Sequence, residues 1–187
     1  IYASDVNSNL QEYNQKNDLS QKTIDENKGH LVLFTRERLE RMHAKTLKDV
    51  FKMTPIIYYN EYRSALPDPS TSWSFGSYRS NFIRLYVDGV EVTQGWMGSG
   101  VMLYGDVNID FVDHIEFYYA IPSFETSVEA SYLTVFLYSK DSKRDSGGKL
   151  SLIGGSRGYN SQTLSYGKQT DKLSYMVNFS HTDAKRE

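Results

Sequence analysis

Leu173-Ser174-Tyr175-Met176-Val177-Asn178-Phe179-Ser180 alternates along its length: Leu173, Tyr175, Val177 and Phe179 fall on one side, and Ser174, Met176, Asn178 and Ser180 on the other. Successive side chains of a strand point to opposite faces, so a period of two predicts a strand with one apolar and one polar face. The same alternation runs through Lys149-Leu150-Ser151-Leu152 and Thr163-Leu164-Ser165-Tyr166, and Gln169-Thr170-Asp171-Lys172 supplies a turn. Three half-apolar antiparallel strands are therefore expected after Gly147.

Upstream, short helices and strands alternate. Leu31-Val32-Leu33-Phe34 is an apolar run that ends at Thr35, a predicted N-cap, with Leu39 and Met42 at helical spacing. Thr46-Leu47-Lys48-Asp49 reads as a capping box with Asp at the third helical position, and Leu47, Val50 and Phe51 form the buried face. Pro55 stops that helix, and residues 56–59 read as a strand. Residues 60–80 read as loop. Residues 82–87 and 90–92 flank Asp88-Gly89, the best hairpin signal in the chain. Residues 93–106 read as irregular, and 115–119 and 132–138 as strands. The expectation is an α+β domain over residues 30–145 with two long loops, preceded by a polar leader over 1–29 and followed by strands over 146–187.

Composition narrows the function classes. Across 187 residues, 21 Lys and Arg face 23 Asp and Glu, so no global charge argues for nucleic acid. With no cysteine, a disulfide scaffold, a thiolate metal site and a cysteine nucleophile are excluded. Residues 1–10 lack the basic start and apolar run of a signal peptide, and no apolar run approaches the ~20 residues of a membrane helix. Asp106-Val107-Asn108-Ile109-Asp110 opens like a calcium loop, but Phe111 stands at the glycine position and Phe117 at the twelfth, so an Asx turn is the better account. His30, His43, His114 and His181 have no zinc-binding spacing, and no serine sits in a G-x-S-x-G elbow. No catalytic constellation and no cofactor site emerges, so no enzyme is expected.

The two long loops carry the candidate binding residues. Arg63, Trp73 and Tyr78 lie in the first, and Gln94, Trp96, Met97 and Tyr104 in the second. Long loops rich in aromatics, Arg and Met are costly to order and commonly bind something. Aromatic rings and Arg suit an organic ligand carrying negative charge.

Taken in order, these pieces resemble the plug domain and first barrel strands of a TonB-dependent outer-membrane receptor. The run from Leu31 through Thr35-Arg36-Glu37-Arg38-Leu39 is similar to the opening plug strand and helix. Lys45-Thr46-Leu47-Lys48-Asp49-Val50-Phe51 is similar to the "TLxDVL" helix, and Thr54-Pro55-Ile56-Ile57 stands where the family has "xPGI". Ile83-Arg84-Leu85-Tyr86-Val87-Asp88-Gly89-Val90 is close to the "R-x-x-V-x-x-DG" hairpin, and Val112-Asp113-His114-Ile115-Glu116-Phe117 to the "IERIEV" strand. Ser123 and residues 135–140 keep the spacing of the closing plug element, and Gly147-Gly148-Lys149-Leu150 looks like the start of the first barrel strand. Strand segments of about 9–11 residues with a dyad pattern fit such a barrel, although half-buried strands of a soluble sheet read the same way.

The resemblance implies a plug that occludes a barrel in the bacterial outer membrane. It also implies a chelate nutrient as ligand, and a TonB-type energy-coupling protein of the inner membrane as partner. Three strands cannot close a barrel of about 22, so a much longer receptor is expected around this chain. Tyr119-Ala120-Ile121 replaces the family's Arg-Gly-Pro, which removes an ionic latch to the barrel wall at that point. The TonB box either precedes Ile1 or takes a divergent form within residues 1–29. A soluble exported binding module, with the strands packed as an ordinary sheet on the α+β part, is the alternative.

Overall fold

The computed structural model describes residues 30–55, 57–61, 67–71, 83–92, 100–119 and 133–183. Strand β1 (His30–Phe34) leads through Thr35 into helix α1 (Arg36–Arg41), and the Thr35 hydroxyl accepts from the Arg38 N–H at 3.3 Å. Helix α2 (Leu47–Lys52) starts at the expected capping box: the Asp49 carboxylate accepts from the Thr46 N–H and hydroxyl, both at 2.9 Å, and from the Lys45 N–H at 3.0 Å. Of these donors the Thr46 N–H is an orphan of the helix start, which the box satisfies.

Strands β2 (Ile57–Glu61) and β3 (Pro67–Thr71) pair antiparallel. This corrects the reading of residues 60–80 as loop throughout. Prolines signal a break, yet an edge strand tolerates them, and in a two-stranded sheet β3 is an edge strand. Strands β4 (Ile83–Val87) and β5 (Val90–Glu91) form the expected hairpin. Its turn residues Asp88 and Gly89 have φ of 48° and 80°, as a type I′ turn requires. Helix α3 (Val101–Tyr104) occupies part of the stretch expected to be irregular, a second correction. One four-residue turn of Val-Met-Leu-Tyr carries too little periodicity to be read from sequence.

Strands β6 (Val112–Tyr119) and β7 (Leu133–Ser139) complete a five-stranded sheet of order β1-β6-β7-β4-β5, in which β4 and β7 run parallel and the other pairs antiparallel. Helices α1 and α2 cover one face. There Phe34, Leu47, Val50, Phe51, Ile115, Phe117 and Val135 are fully or almost fully buried, with Phe34 and Phe51 edge-on to Phe117 at 5.3 and 5.5 Å. Edge-on rings set the positive rim of one against the negative face of another, worth about 0.5–1.5 kcal/mol per pair beyond burial. The opposite face carries a smaller cluster of Tyr86, Tyr118 and Phe136.

A separate three-stranded antiparallel sheet follows, made of β8 (Gly147–Gly154), β9 (Asn160–Gln169) and β10 (Ser174–Asp183) with β9 in the middle. Among the described residues no helix is long and apolar enough to cross a membrane, which says nothing of a β-barrel.

Candidate functional site at the seam between the two sheets

The three-stranded sheet is inverted relative to a soluble one. Register places Leu150, Leu164 and Phe179 in one cross-strand row, and all three are exposed, at 65, 52 and 65%. Leu152, Tyr166, Tyr175 and Val177 share that outward face and are exposed as well. Ser161 and Thr163 on the other face are buried. An antiparallel sheet in water has the opposite arrangement, with its apolar face turned to the core.

The polar face meets the mixed-sheet domain through hydrogen bonds. The Thr163 hydroxyl donates to Asp110 Oδ2 at 2.7 Å, and Asn108 Nδ2 donates to Thr163 Oγ1 at 3.5 Å. Asn108 Oδ1 also accepts from the Asp110 N–H at 2.7 Å, so the segment read as an Asx turn is one and presents Asp110 to the seam. Ser142 and Ser174 hydroxyls meet at 2.5 Å. Gly167 lies so close to the connecting segment 140–146 that a Cβ there would collide with the Asp145 carbonyl oxygen.

Arg36, the first residue of α1, ties the connector to the mixed sheet. Its Nη1 and Nη2 donate to the two Asp145 carboxylate oxygens at 2.8 and 2.7 Å, and Nη2 also reaches Asp113 Oδ1 at 2.5 Å. Asp113 further accepts from His114 at 2.9 Å and from Arg144 at 3.3 Å. Burial pushes the Asp113 carboxyl up, but the His114 hydrogen bond and the charges of Arg36 and Arg144 outweigh it, bringing its pKa down to about 2. On the opposite face of the sheet the buried Glu116 carboxylate accepts from the hydroxyls of Tyr118 at 2.9 Å and Tyr138 at 3.3 Å. Burial, then the Glu116 charge, raise the Tyr138 hydroxyl to about 12.

A cavity of about 230 Å³ opens between α1 and the inner face of β8 and β9, bordered by Arg36, Lys45, Asp110, Lys140, Lys149 and Thr163. Of the loop residues singled out from sequence, Arg63, Trp73, Tyr78, Gln94, Trp96 and Met97 lie outside the described residues. Tyr104 closes α3, half-buried against the main core. Arg36, Asp113, Asp145 and Thr163 gave no sequence signal as a group, because the Arg36–Asp145 pair spans 109 positions and the Asp110–Thr163 pair 53.

No family model and no curated protein matches the chain. Solved structures do. The ferripyoverdine receptor of the outer membrane of Pseudomonas aeruginosa, bound to ferripyoverdine, aligns with TM-score 0.64 at 16% identity over 85% of this chain. The siderophore receptor PiuA from Acinetobacter baumannii aligns with TM-score 0.62 at 15% identity over 84%. The ferric yersiniabactin uptake receptor FyuA from Yersinia pestis gives 0.60 at 13% over 82%. The chain spans 21, 21 and 24% of those receptors, respectively. In fold, then, this chain is similar to the plug and opening barrel strands of these outer-membrane receptors, the architecture that its motif order resembles.

Proposed function

We propose that the chain is the plug part of a TonB-dependent outer-membrane receptor. In this reading the plug occludes the barrel and helps bind a scarce nutrient, a siderophore-, haem- or cobalamin-like chelate, for energised uptake. The role is transport without catalysis. The observation that carries it is the inverted sheet: Leu150, Leu164 and Phe179 face outward while Thr163 hydrogen-bonds inward to Asp110. That arrangement suits a wall with lipid on one side and a polar plug on the other.

Strands β8 and β10 each keep one unpaired edge among the described residues. In hydrocarbon every unpaired backbone group costs several kcal/mol, so further strands of the same receptor must complete the wall. A chelate ligand fits the aromatic and Arg content of the stretches holding Arg63, Trp73, Tyr78, Gln94, Trp96 and Met97, with Tyr104 at the end of α3. Opening the path requires the plug to shift or partly unfold, and a TonB-type protein of the inner membrane supplies that work.

The test is fractionation of the native gene product with intact-mass measurement, followed by uptake of radiolabelled ferric siderophores in cells with and without the gene. An outer-membrane product several times the mass of this chain, with energy-dependent uptake lost on deletion, is expected. A periplasmic product of about this chain's mass would overturn the proposal.

A further inference from the structure

The cations that border the seam cavity are unevenly partnered. Arg36 is met by Asp113 and Asp145, and Lys45 by Asp110 at 3.8 Å. Lys140 and Lys149 have no carboxylate within ion-pair distance among the described residues. Lys140 donates to the Asp110 backbone carbonyl at 2.6 Å, which uses one of its three N–H groups. Glu40 also borders the cavity, but it is exposed and beyond ion-pair distance of both lysines.

Two further features point the same way. Arg36 keeps a buried Nε–H with no acceptor. Burial holds the Lys140 ammonium below its ordinary pKa, and the Arg36 and Lys149 charges add to that, offset only in part by Asp145 and Asp110. The cavity, at about 230 Å³, is several times the roughly 30 Å³ share of one water, so it has room for more than solvent. Ser151 and Ser165, which line it from β8 and β9, add hydroxyl donors.

We propose that this cavity binds a small oxyanion with two or more negative charges, such as phosphate or a short polycarboxylate, between the Lys140 and Lys149 ammonium groups. Lys140 follows β7 of the plug, whereas Lys149 belongs to the first wall strand. The bound anion therefore bridges plug and wall and holds them together. This binding depends on the seam geometry, whatever nutrient the receptor carries.

Equilibrium dialysis of radiolabelled phosphate against the full-length gene product in detergent, at fixed ionic strength, tests it, with tricarballylate as competitor. Saturable one-to-one binding is expected, weakened at least tenfold by Lys140→Gln and by Lys149→Gln and largely kept by Lys149→Arg. Occupancy is also expected to slow hydrogen exchange in the connecting segment 140–146 of the wild-type protein. Absence of saturable binding overturns the proposal. So does binding that both glutamine variants leave unchanged, or that chloride displaces as well as tricarballylate does.

Discussion

The Thr163 hydroxyl donates to the Asp110 carboxylate across the seam, joining β9, the middle strand of its sheet, to the turn that enters β6. Thr163 is buried and the Asp110 side chain is 25% exposed, and a hydrogen bond to a charged acceptor contributes about 1.5–3 kcal/mol, the lower end applying to a partly exposed one. Thr163→Val removes the donor at nearly constant volume. Hydrogen exchange of residues 107–111 in the full-length protein should speed up by roughly tenfold or more, since ~1.4 kcal/mol is a factor of ten. Thr163→Ser should stay near wild type. Equal exchange in the Val and Ser variants would show that the bond does not hold the seam.

Arg36 should resist replacement even by Lys. Its guanidinium grips Asp145 through two parallel hydrogen bonds and reaches Asp113 with the same Nη2, a fork an ammonium cannot reproduce. The three side chains are about one-fifth exposed, between the surface and buried cases, so a cost of about 2 kcal/mol is expected for Arg36→Gln. Limited proteolysis of the connector 140–146 reads this out. Both Arg36→Gln and Arg36→Lys should be cut several-fold faster than wild type, and a Lys variant as resistant as wild type would show that charge alone suffices.

Asp113 gives the mixed-sheet domain a pH dependence with a definite sign. Its folded pKa of about 2 lies below the ordinary 3.8, so the folded state favours the ionised carboxylate. The stability it contributes is fully present above about pH 4 and is lost as pH falls through about 2. Acid titration followed by tryptophan fluorescence should show wild type losing stability across that window. The Asp113→Asn variant should start less stable at neutral pH and lose less between pH 4 and 2. Parallel acid profiles would mean that Asp113 does not set the acid sensitivity.

Sequence patterning revealed what local physics controls. The capping box at Thr46 and Asp49, the Asp88-Gly89 turn and the three alternating strands all depend on residues within a few positions, and each stands where the pattern placed it. The pairing of β4 with β7, 50 residues on, has no local signature, and neither has the Arg36–Asp113–Asp145 cluster. Strand β3 escapes the pattern because two prolines read as breakers, although an edge strand tolerates them. Direction was the deeper gap. Alternation told which residues of β9 share a face, but only the contact of Thr163 with Asp110 told which face turns inward.

The β4–β5 turn separates backbone strain from packing. A Cβ on Gly89 would meet nothing within 4 Å, so the cost of Gly89→Ala comes from its φ of +80° alone, about 1–2 kcal/mol. Asp88, at φ 48°, also accepts the Ser139 N–H at 2.8 Å and thereby caps the end of β7. Asp88→Asn keeps both the left-handed tolerance and an acceptor, whereas Asp88→Ala loses both. Denaturant midpoints should rank wild type and Asp88→Asn above Asp88→Ala. A Gly89→Ala midpoint equal to that of wild type would contradict a type I′ turn at this position.

Leu164 decides between lipid and water on the outward face. It lies between Leu150 and Phe179 in a row that no described residue covers. If that face contacts hydrocarbon, Leu164→Arg costs about 2–4 kcal/mol near the bilayer midplane, while Leu164→Phe costs little. In water the same arginine would be neutral or would improve solubility, because it breaks an apolar patch. The folded fraction of full-length protein in outer membranes, read as the band whose gel mobility changes on heating, should fall sharply for Arg and hold for Phe. Ser161→Ala, a small change on the buried inner face of the same strand, should hold as well. An arginine variant that assembles like wild type would place this face in water and overturn the wall assignment, leaving the plug-like fold of residues 30–145 intact.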